Sequence, residues 1–382
     1  MPPTESKAFS WWFLCNDGQK TGHINFINNA YINGMNRKHF LSALATSAGL
    51  TSLPALTRLQ QAAAALQIHE ERLLIPPYLK KGDVIGITCP AGHITLEEIK
   101  PAIRIMESWG FRIRVGSTVN KSDFSFGGTD QERRQDLQAM LDDPAVNAIM
   151  CARGGYGSAR IVDQLDFSRF KQQPKWLIGF SDITVLHCHI NRLYGIATLH
   201  SKMCNSFPDD YHSAEPIVQQ TISSINDALT GQRLQYTTFS DSRNRPGTAS
   251  GMLIGGNLSM IQSVLATNSE PDTIGKILFL EEVGEYLYSL DRMFNSLHRA
   301  HKLDHLAGLI IGGFNRIKPD DPGEEFGRTV YDIVMEKVKD FKYPVCFGFP
   351  VGHQKDNYAL KCGIMHQLNV SRNEVTLDEL RN

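Results

Sequence analysis

From residue 80 onward, short apolar runs alternate with longer stretches in which apolar residues return every three or four positions. The run "DVIGITCPAG" (83–92) is continuous and ends in Pro and Gly, which predicts a buried strand; "TLEEIKPAIRIMESWG" (95–110) has helical spacing and closes on Gly110. "FRIRVGST" reads as the next strand, and "TDQERRQDLQAMLDD" as a helix with Thr129 or Asp130 as its N-cap. Strand "VNAIMCA", glycine turn "RGGYGS", helix "ARIVDQL" and strand "KWLIGF" follow, with a further helix after Ser181. Strands alternating with helices predict βα units on a parallel sheet, hence a doubly wound α/β domain over about 79–207.

Residues 208–247 hold one helical pattern and then a polar, turn-rich passage, the composition of a connector. From residue 248 the apolar runs return in "ASGMLIGGNLSMIQSVL", "KILFLEEV", "LAGLIIGGF" and "YPVCFGFPVG", separated by helical patterns such as "SLDRMFNSLHRAHKL" and "GRTVYDIVMEKVKDF". This predicts a second, mixed α/β domain over 248–375, with no repeat of fixed period and no low-complexity tract.

The start of the chain is different. Residues 1–34 show neither periodicity and read as an unstructured extension. Met35 then opens a stretch with a basic start (Arg37, Lys38, His39), an uncharged run from Phe40 to Thr57 and small residues at 62–65. Residues 35–66 therefore read as an export signal, "NRKHFLS" being similar to a twin-arginine signal with one arginine replaced by lysine. The other reading is an amphipathic helix, because Leu41, Leu44, Leu50, Leu53 and Leu56 recur at near-helical spacing. A working signal implies an exported, periplasmic protein; without it the protein is cytoplasmic. No run is long and apolar enough for a permanent membrane span.

Composition narrows the function. At 382 residues the chain is long for one core, and 42% hydrophobic with 21% charged residues excludes a disordered chain or a coiled coil. A net charge of -1 supplies no basic field for a polyphosphate, so nucleic acid is not an expected partner. Seven cysteines include no C-x-x-C pair, and Cys89 and Cys151 end apolar runs, as core residues do. The closest histidines, His187 and His189, are two apart, which on a helix points the rings to different sides; no metal site is expected.

Four places could carry chemistry. Arg153 and the glycines of "RGGYGS" (Gly154, Gly155, Gly157) stand at the carboxyl end of a strand, where open α/β sheets bind ligands and where such a turn exposes backbone N–H groups. The turn lacks the lysine and Ser/Thr of a phosphate loop. One βα unit later "WLIGFSDITVL" puts Ser181 at a strand-to-helix corner, where it can be an exposed nucleophile or the cap of the next helix. A serine nucleophile needs a base, a group that orients the base, and N–H donors for the oxyanion. "KILFLEEV" drives an apolar strand into Glu281 and Glu282, an expensive place for a carboxylate that has no partner. "FPVGHQKDN" places His353 in a Gly-flanked loop.

Together these stretches resemble the serine LD-carboxypeptidases, the murein tetrapeptide carboxypeptidase family that includes the microcin C self-immunity hydrolases. The resemblance spans about 79–375 through "FGGTDQERRQDLQAMLDDPAVNAIMCARGGYGSARIVDQLD", "WLIGFSDIT", "TLHSKM", "GMLIGGNLSMI", "KILFLEEVGEYLYSLDRM" and "GFPVGH", in that order. It implies a triad of Ser181, Glu281 and His353, with the backbone amides of Gly155 and Asp182 as oxyanion hole. It also implies an amidotransferase-like doubly wound N-terminal domain, a smaller swivelling β/β/α C-terminal domain, a homodimer and no cofactor. The implied substrate is a muropeptide, cut at the L,D-bond to its terminal D-Ala; Arg153 is the candidate for the terminal carboxylate. The implied alternative is an aminoacyl-nucleotide conjugate, and a silent binding protein is the reading from outside enzymology. Two departures from the family pattern, "HSKM" (200–203) in place of His-Gly-Pro and Ala266-Thr267 in place of Gly-Thr, bear on the substrate rather than on the triad.

Overall fold

A computed structural model describes residues 74–380. The extension at 1–34 and the export-type segment at 35–66 lie outside the described residues.

The first half of this chain folds as β1 (Val84–Thr88), α1 (Leu96–Ser108), β2 (Arg112–Val115), α2 (Asp130–Asp142), β3 (Ala148–Cys151), α3 (Ser158–Ile161), α4 (Ser168–Gln172), β4 (Trp176–Gly179), α5 (Thr184–Tyr194) and β5 (Thr198–His200). The caps expected from sequence form. Thr95 and Thr129 accept the N–H groups of Glu98 and Glu132, whose carboxylates return the bond, and Gly110 leaves α1 at φ +95°. Of the two candidates for the cap of α2, Thr129 takes the position because its hydroxyl completes that reciprocal pair.

The remainder comprises α6 (Pro216–Leu229), β6 (Gln235–Phe239), β7 (Gly247–Asn257), α7 (Leu258–Ser263), β8 (Ile277–Val283), α8 (Leu287–Arg299), β9 (Gly308–Asn315), α9 (Val330–Val338), β10 (Val345–Phe347), β11 (Leu360–Cys362), β12 (Met365–Val370) and β13 (Glu374–Glu379). Two sheets result, ordered β11-β5-β4-β3-β1-β2 and β10-β9-β8-β7-β12-β13-β6.

In the first sheet β5, β4, β3, β1 and β2 run parallel, and the order reverses between β1 and β3. That reversal opens a crevice at the carboxyl ends of the strands. Because side chains alternate, Ile85, Ile87, Met150 and Ile178 face one core while Ile149, Cys151 and Leu177 face the other, so β1, β3 and β4 are covered on both faces and read as continuous apolar runs, whereas β2 at the sheet edge is mostly exposed. Fully burying each large aliphatic chain contributes roughly 1.5–3 kcal/mol. The second core continues into Ile254, Leu278 and Leu280 of the second sheet and Leu258 of α7, which fixes one sheet against the other.

Three local expectations change. The polar passage after α6 contains a strand, β6, at the sheet edge, whose alternate residues Gln235, Thr237 and Phe239 are exposed; its two apolar residues, Tyr236 and Phe239, are three apart and so give no strand period. The last strand continues to Glu379, past 375. Leu360–Cys362 leaves the second half to pair antiparallel with β5 on the first sheet. Among the described residues no helix is long and apolar enough to cross a membrane.

Candidate active site

The site forms where β3, β4, β8 and the loop after β10 meet. Gly179 ends β4, and a methyl group there would lie 2.9 Å from Ile183 Cγ1, so the chain can fold back tightly only with glycine. Ser181 follows at φ +64°, a left-handed conformation that costs a non-glycine residue about 1–2 kcal/mol. A single 3₁₀ turn, Ser181–Ile183, then leads into α5, and no side chain caps either element. The Ser181 hydroxyl instead lies 3.2 Å from His353 Nε2, so of the two sequence readings the capping role is not the one the side chain adopts. Backbone strain of this kind is a common mark of functional sites.

Glu281 is reached through β8. Its period of two puts Glu281 on the face of Ile277 and Phe279 and Glu282 on that of Leu278 and Leu280. Both carboxylates are buried, with different partners. Glu281 Oε2 accepts from His353 Nδ1 at 2.7 Å and from the His353 backbone N–H at 3.2 Å. Glu282 accepts from Asn257 Nδ2 at 2.9 Å and from the Ser259 and Val283 amides at 2.7 and 2.9 Å, serving the first turn of α7; burial raises its proton affinity against those bonds. Of the adjacent acids, Glu281 meets the imidazole and Glu282 holds a helix end.

With its Nδ1 proton donated to Glu281, His353 presents a lone pair on Nε2 toward Ser181. The Phe180 ring packs 4.8 Å from the imidazole and limits its rotation. Across the crevice, a methyl on Gly154 would come within 3.2 Å of Ser181 Oγ, so the glycine turn abuts the hydroxyl. Gly155 follows at φ +105°, and Asp182 is the next residue after the serine, so the two expected oxyanion amides belong to the turns that meet at Ser181. The Asp182 side chain has its own task, accepting the Ser158 N–H at 2.8 Å at the start of α3, while burial raises its proton affinity. Arg153 is exposed beside this turn, its Nη1 donating to the His93 carbonyl at 3.1 Å.

Sequence reasoning passed over two cations. Arg133 is fully buried and donates to the carbonyls of Gly157 (3.0 Å) and Gly128 (3.2 Å), bracing the glycine turn from below. Nothing in the polar helix "TDQERRQDLQAMLDD" distinguishes Arg133 from Arg134. Lys202, within the divergent "HSKM", lies 5.8 Å from the Phe180 ring centre and donates to the Gln354 carbonyl. Burial lowers its proton affinity while the charges of Asp356 and Glu281 oppose that shift. His187 and His189 take separate partners, the Gly179 carbonyl and the Ser269 hydroxyl, both at 2.9 Å. Among the described residues no group of three or more His, Cys, Asp or Glu side chains could hold a metal ion. Cys89, Cys151, Cys188, Cys204, Cys346 and Cys362 are free and buried.

A hydroxyl, an imidazole and a buried carboxylate in line, at the ligand-binding edge of a doubly wound sheet, is the arrangement with which serine hydrolases activate an alcohol. Comparison with known proteins narrows this class. Residues 85–201 match the LD-carboxypeptidase N-terminal domain and residues 250–368 the LD-carboxypeptidase C-terminal domain. The chain belongs to the LD-carboxypeptidase family and is a serine-type hydrolase of that kind. It is 31% identical over 312 residues to the probable murein peptide carboxypeptidase of Bacillus subtilis, covering 79% of this chain and 94% of that one. It is 24% identical over 345 residues to the Escherichia coli microcin C7 self-immunity protein MccF, covering 82% and 98%. The muramoyltetrapeptide carboxypeptidase from Oxalobacter formigenes superposes with a TM-score of 0.70 at 25% identity, over 78% of this chain and 99% of that one. The two-domain α/β fold expected from sequence is the fold of these proteins.

Proposed function

We propose that this protein removes the terminal D-Ala from murein tetrapeptides by a Ser181, His353, Glu281 mechanism with an acyl-enzyme intermediate. The observation that carries the reading is the continuous line from Ser181 Oγ to His353 Nε2 (3.2 Å) and from His353 Nδ1 to Glu281 Oε2 (2.7 Å). Nε2 takes the Ser181 proton as Oγ bonds to the carbonyl carbon of the L,D-peptide. Glu281, ionised, stabilises the imidazolium that results. The amides of Gly155 and Asp182 stabilise the tetrahedral oxyanion; loss of one such donor typically costs about 3 kcal/mol of barrier. The C–N bond then breaks, the leaving D-Ala nitrogen takes the proton from Nε2, and water repeats the sequence in reverse to free Ser181. Arg153, exposed at the rim, is the cation we assign to the terminal carboxylate.

Incubation with a purified disaccharide-tetrapeptide, followed by mass analysis, should show loss of one alanine, and Ser181→Ala should abolish it. An unchanged mass with a wild-type enzyme that still reacts with a serine-directed phosphonate would refute the tetrapeptide as substrate and favour an aminoacyl-nucleotide conjugate, the alternative implied by the sequence resemblance and in keeping with a solved structure of MccF in complex with aspartyl sulfamoyl adenosine. Absence of labelling at Ser181 would favour a binding protein. For residues 35–66 we propose export; N-terminal sequencing of the natural protein tests it, and a mature chain that keeps this segment refutes it.

A further inference from the structure

Behind His353 lies a set of buried polar groups that the mechanism above does not use. His200 and Asn357 are both fully buried, a costly placement unless their polar atoms find partners. Asn357 Oδ1 accepts the Gly352 N–H at 2.8 Å and lies 3.3 Å from His200 Nε2. The next amide in the chain, that of His353, donates to Glu281 Oε2 at 3.2 Å. Two successive amides of the loop are thus held by two different buried acceptors. Between them Gly352 sits at φ +110°, and a methyl there would lie 2.6 Å from Glu281 Cβ, so the loop has no second way to approach the carboxylate.

An oxygen that accepts from Gly352 requires a donor at His200 Nε2. Burial keeps the His200 ring well below the usual histidine range, so it is neutral and holds one N–H for that bond. Its ring is wedged 5.8 Å from the Phe180 ring and 5.0 Å from the Phe279 ring, which fixes the direction of that N–H. His200 ends β5, on the sheet that carries Ser181, whereas Asn357 follows the loop that carries His353. Their contact joins the two parts of the site at a point where both side chains are closed off from solvent.

We propose that Asn357, held by His200, is a positioning residue for hydrolysis: it sets the Gly352 and His353 amides so that the imidazole spans Glu281 and Ser181. This rests on the serine mechanism above. Displacing a catalytic group by about 1 Å can cost ~10²-fold in rate.

In the full-length enzyme, Asn357→Leu should lower kcat on the disaccharide-tetrapeptide about 100-fold with KM changed less than about threefold, and slow phosphonate labelling of Ser181 equally. His200→Phe keeps the ring but removes the N–H and should lower both roughly tenfold, while His200→Gln, which restores a donor, should recover most of the loss. Should Asn357→Leu not fold, the His200 pair decides alone. Wild-type kcat and labelling in Asn357→Leu or His200→Phe, with Ser181→Ala inactive, overturns the positioning role and leaves the serine mechanism standing. Equal loss in His200→Gln and His200→Phe reduces the contact to packing and also overturns it. Activity that survives Ser181→Ala overturns the serine mechanism itself.

Discussion

Replacing Glu281 with glutamine is the sharpest test of the site, because shape is kept and one charge is removed. The carboxylate is fully buried and its Oε2 lies 2.7 Å from His353 Nδ1, so the imidazolium formed during attack has its counter-charge at contact distance. At an effective dielectric near 20, unit charges about 3–4 Å apart attract by roughly 4–5 kcal/mol. Each ~1.4 kcal/mol is a factor of ten, so Glu281→Gln should reduce kcat by about 10³-fold or slightly more. The amide can also turn its NH₂ toward Nδ1 and favour the wrong tautomer, which acts in the same direction. D-Ala release measured at saturating tetrapeptide reads the effect, with circular dichroism and urea unfolding confirming the fold. Glu282→Gln is the internal comparison. Its carboxylate serves Asn257 and the Ser259 amide, so its loss should weaken stability by about 1–3 kcal/mol and leave kcat within roughly fivefold. If Glu281→Gln keeps more than about a tenth of the wild-type kcat, or if Glu282→Gln is the more damaging to kcat, the electrostatic reasoning is wrong.

Three further outcomes are expected. Ser181→Gly should abolish turnover yet stabilise the fold by about 1 kcal/mol, since glycine relieves the left-handed strain at φ +64°; a lower urea midpoint than wild type would contradict that strain. Gly352→Ala should remove activity and cost more than about 2 kcal/mol of stability, because the added methyl meets Glu281 Cβ at 2.6 Å; wild-type D-Ala release would show that the loop can move aside. Burial lowers His187 and His366 to about 4 from 6.5, so the folded protein binds fewer protons than the unfolded chain between these values. Their stabilising contribution is therefore complete above the unfolded value and is lost as pH falls toward 4. Together they should reduce unfolding free energy by about 3 kcal/mol between pH 7.5 and 5.5, and a flat urea-midpoint profile over that range would refute their burial as neutral rings.

The strands β1, β3 and β4 and the helices α1 and α2 of the first domain were legible in the sequence because these strands are buried on both faces and these helices on one, so hydrophobic spacing records that part of the fold directly, whereas β5 and β11 of the same sheet were not read from it. The same spacing brought "KILFLEEV" to its acidic end and "GFPVGH" to its loop, and the ordered stretches carried the family resemblance. Spacing could not separate Glu281 from Glu282, single out Arg133 beside Arg134, or reveal β6 at an exposed edge. Nor could it choose between a capping and a nucleophilic geometry for Ser181, since both begin with a serine before a helix. Those decisions belong to tertiary structure. The alternation of β8 aims one acid at His353 and the other at α7, the left-handed turn swings Oγ away from the helix it precedes, and β11 returns to β5 to bring the histidine loop across. A hydrogen bond depends on distance and direction between residues some 70 to 170 positions apart, and composition and periodicity, which are local, carry neither.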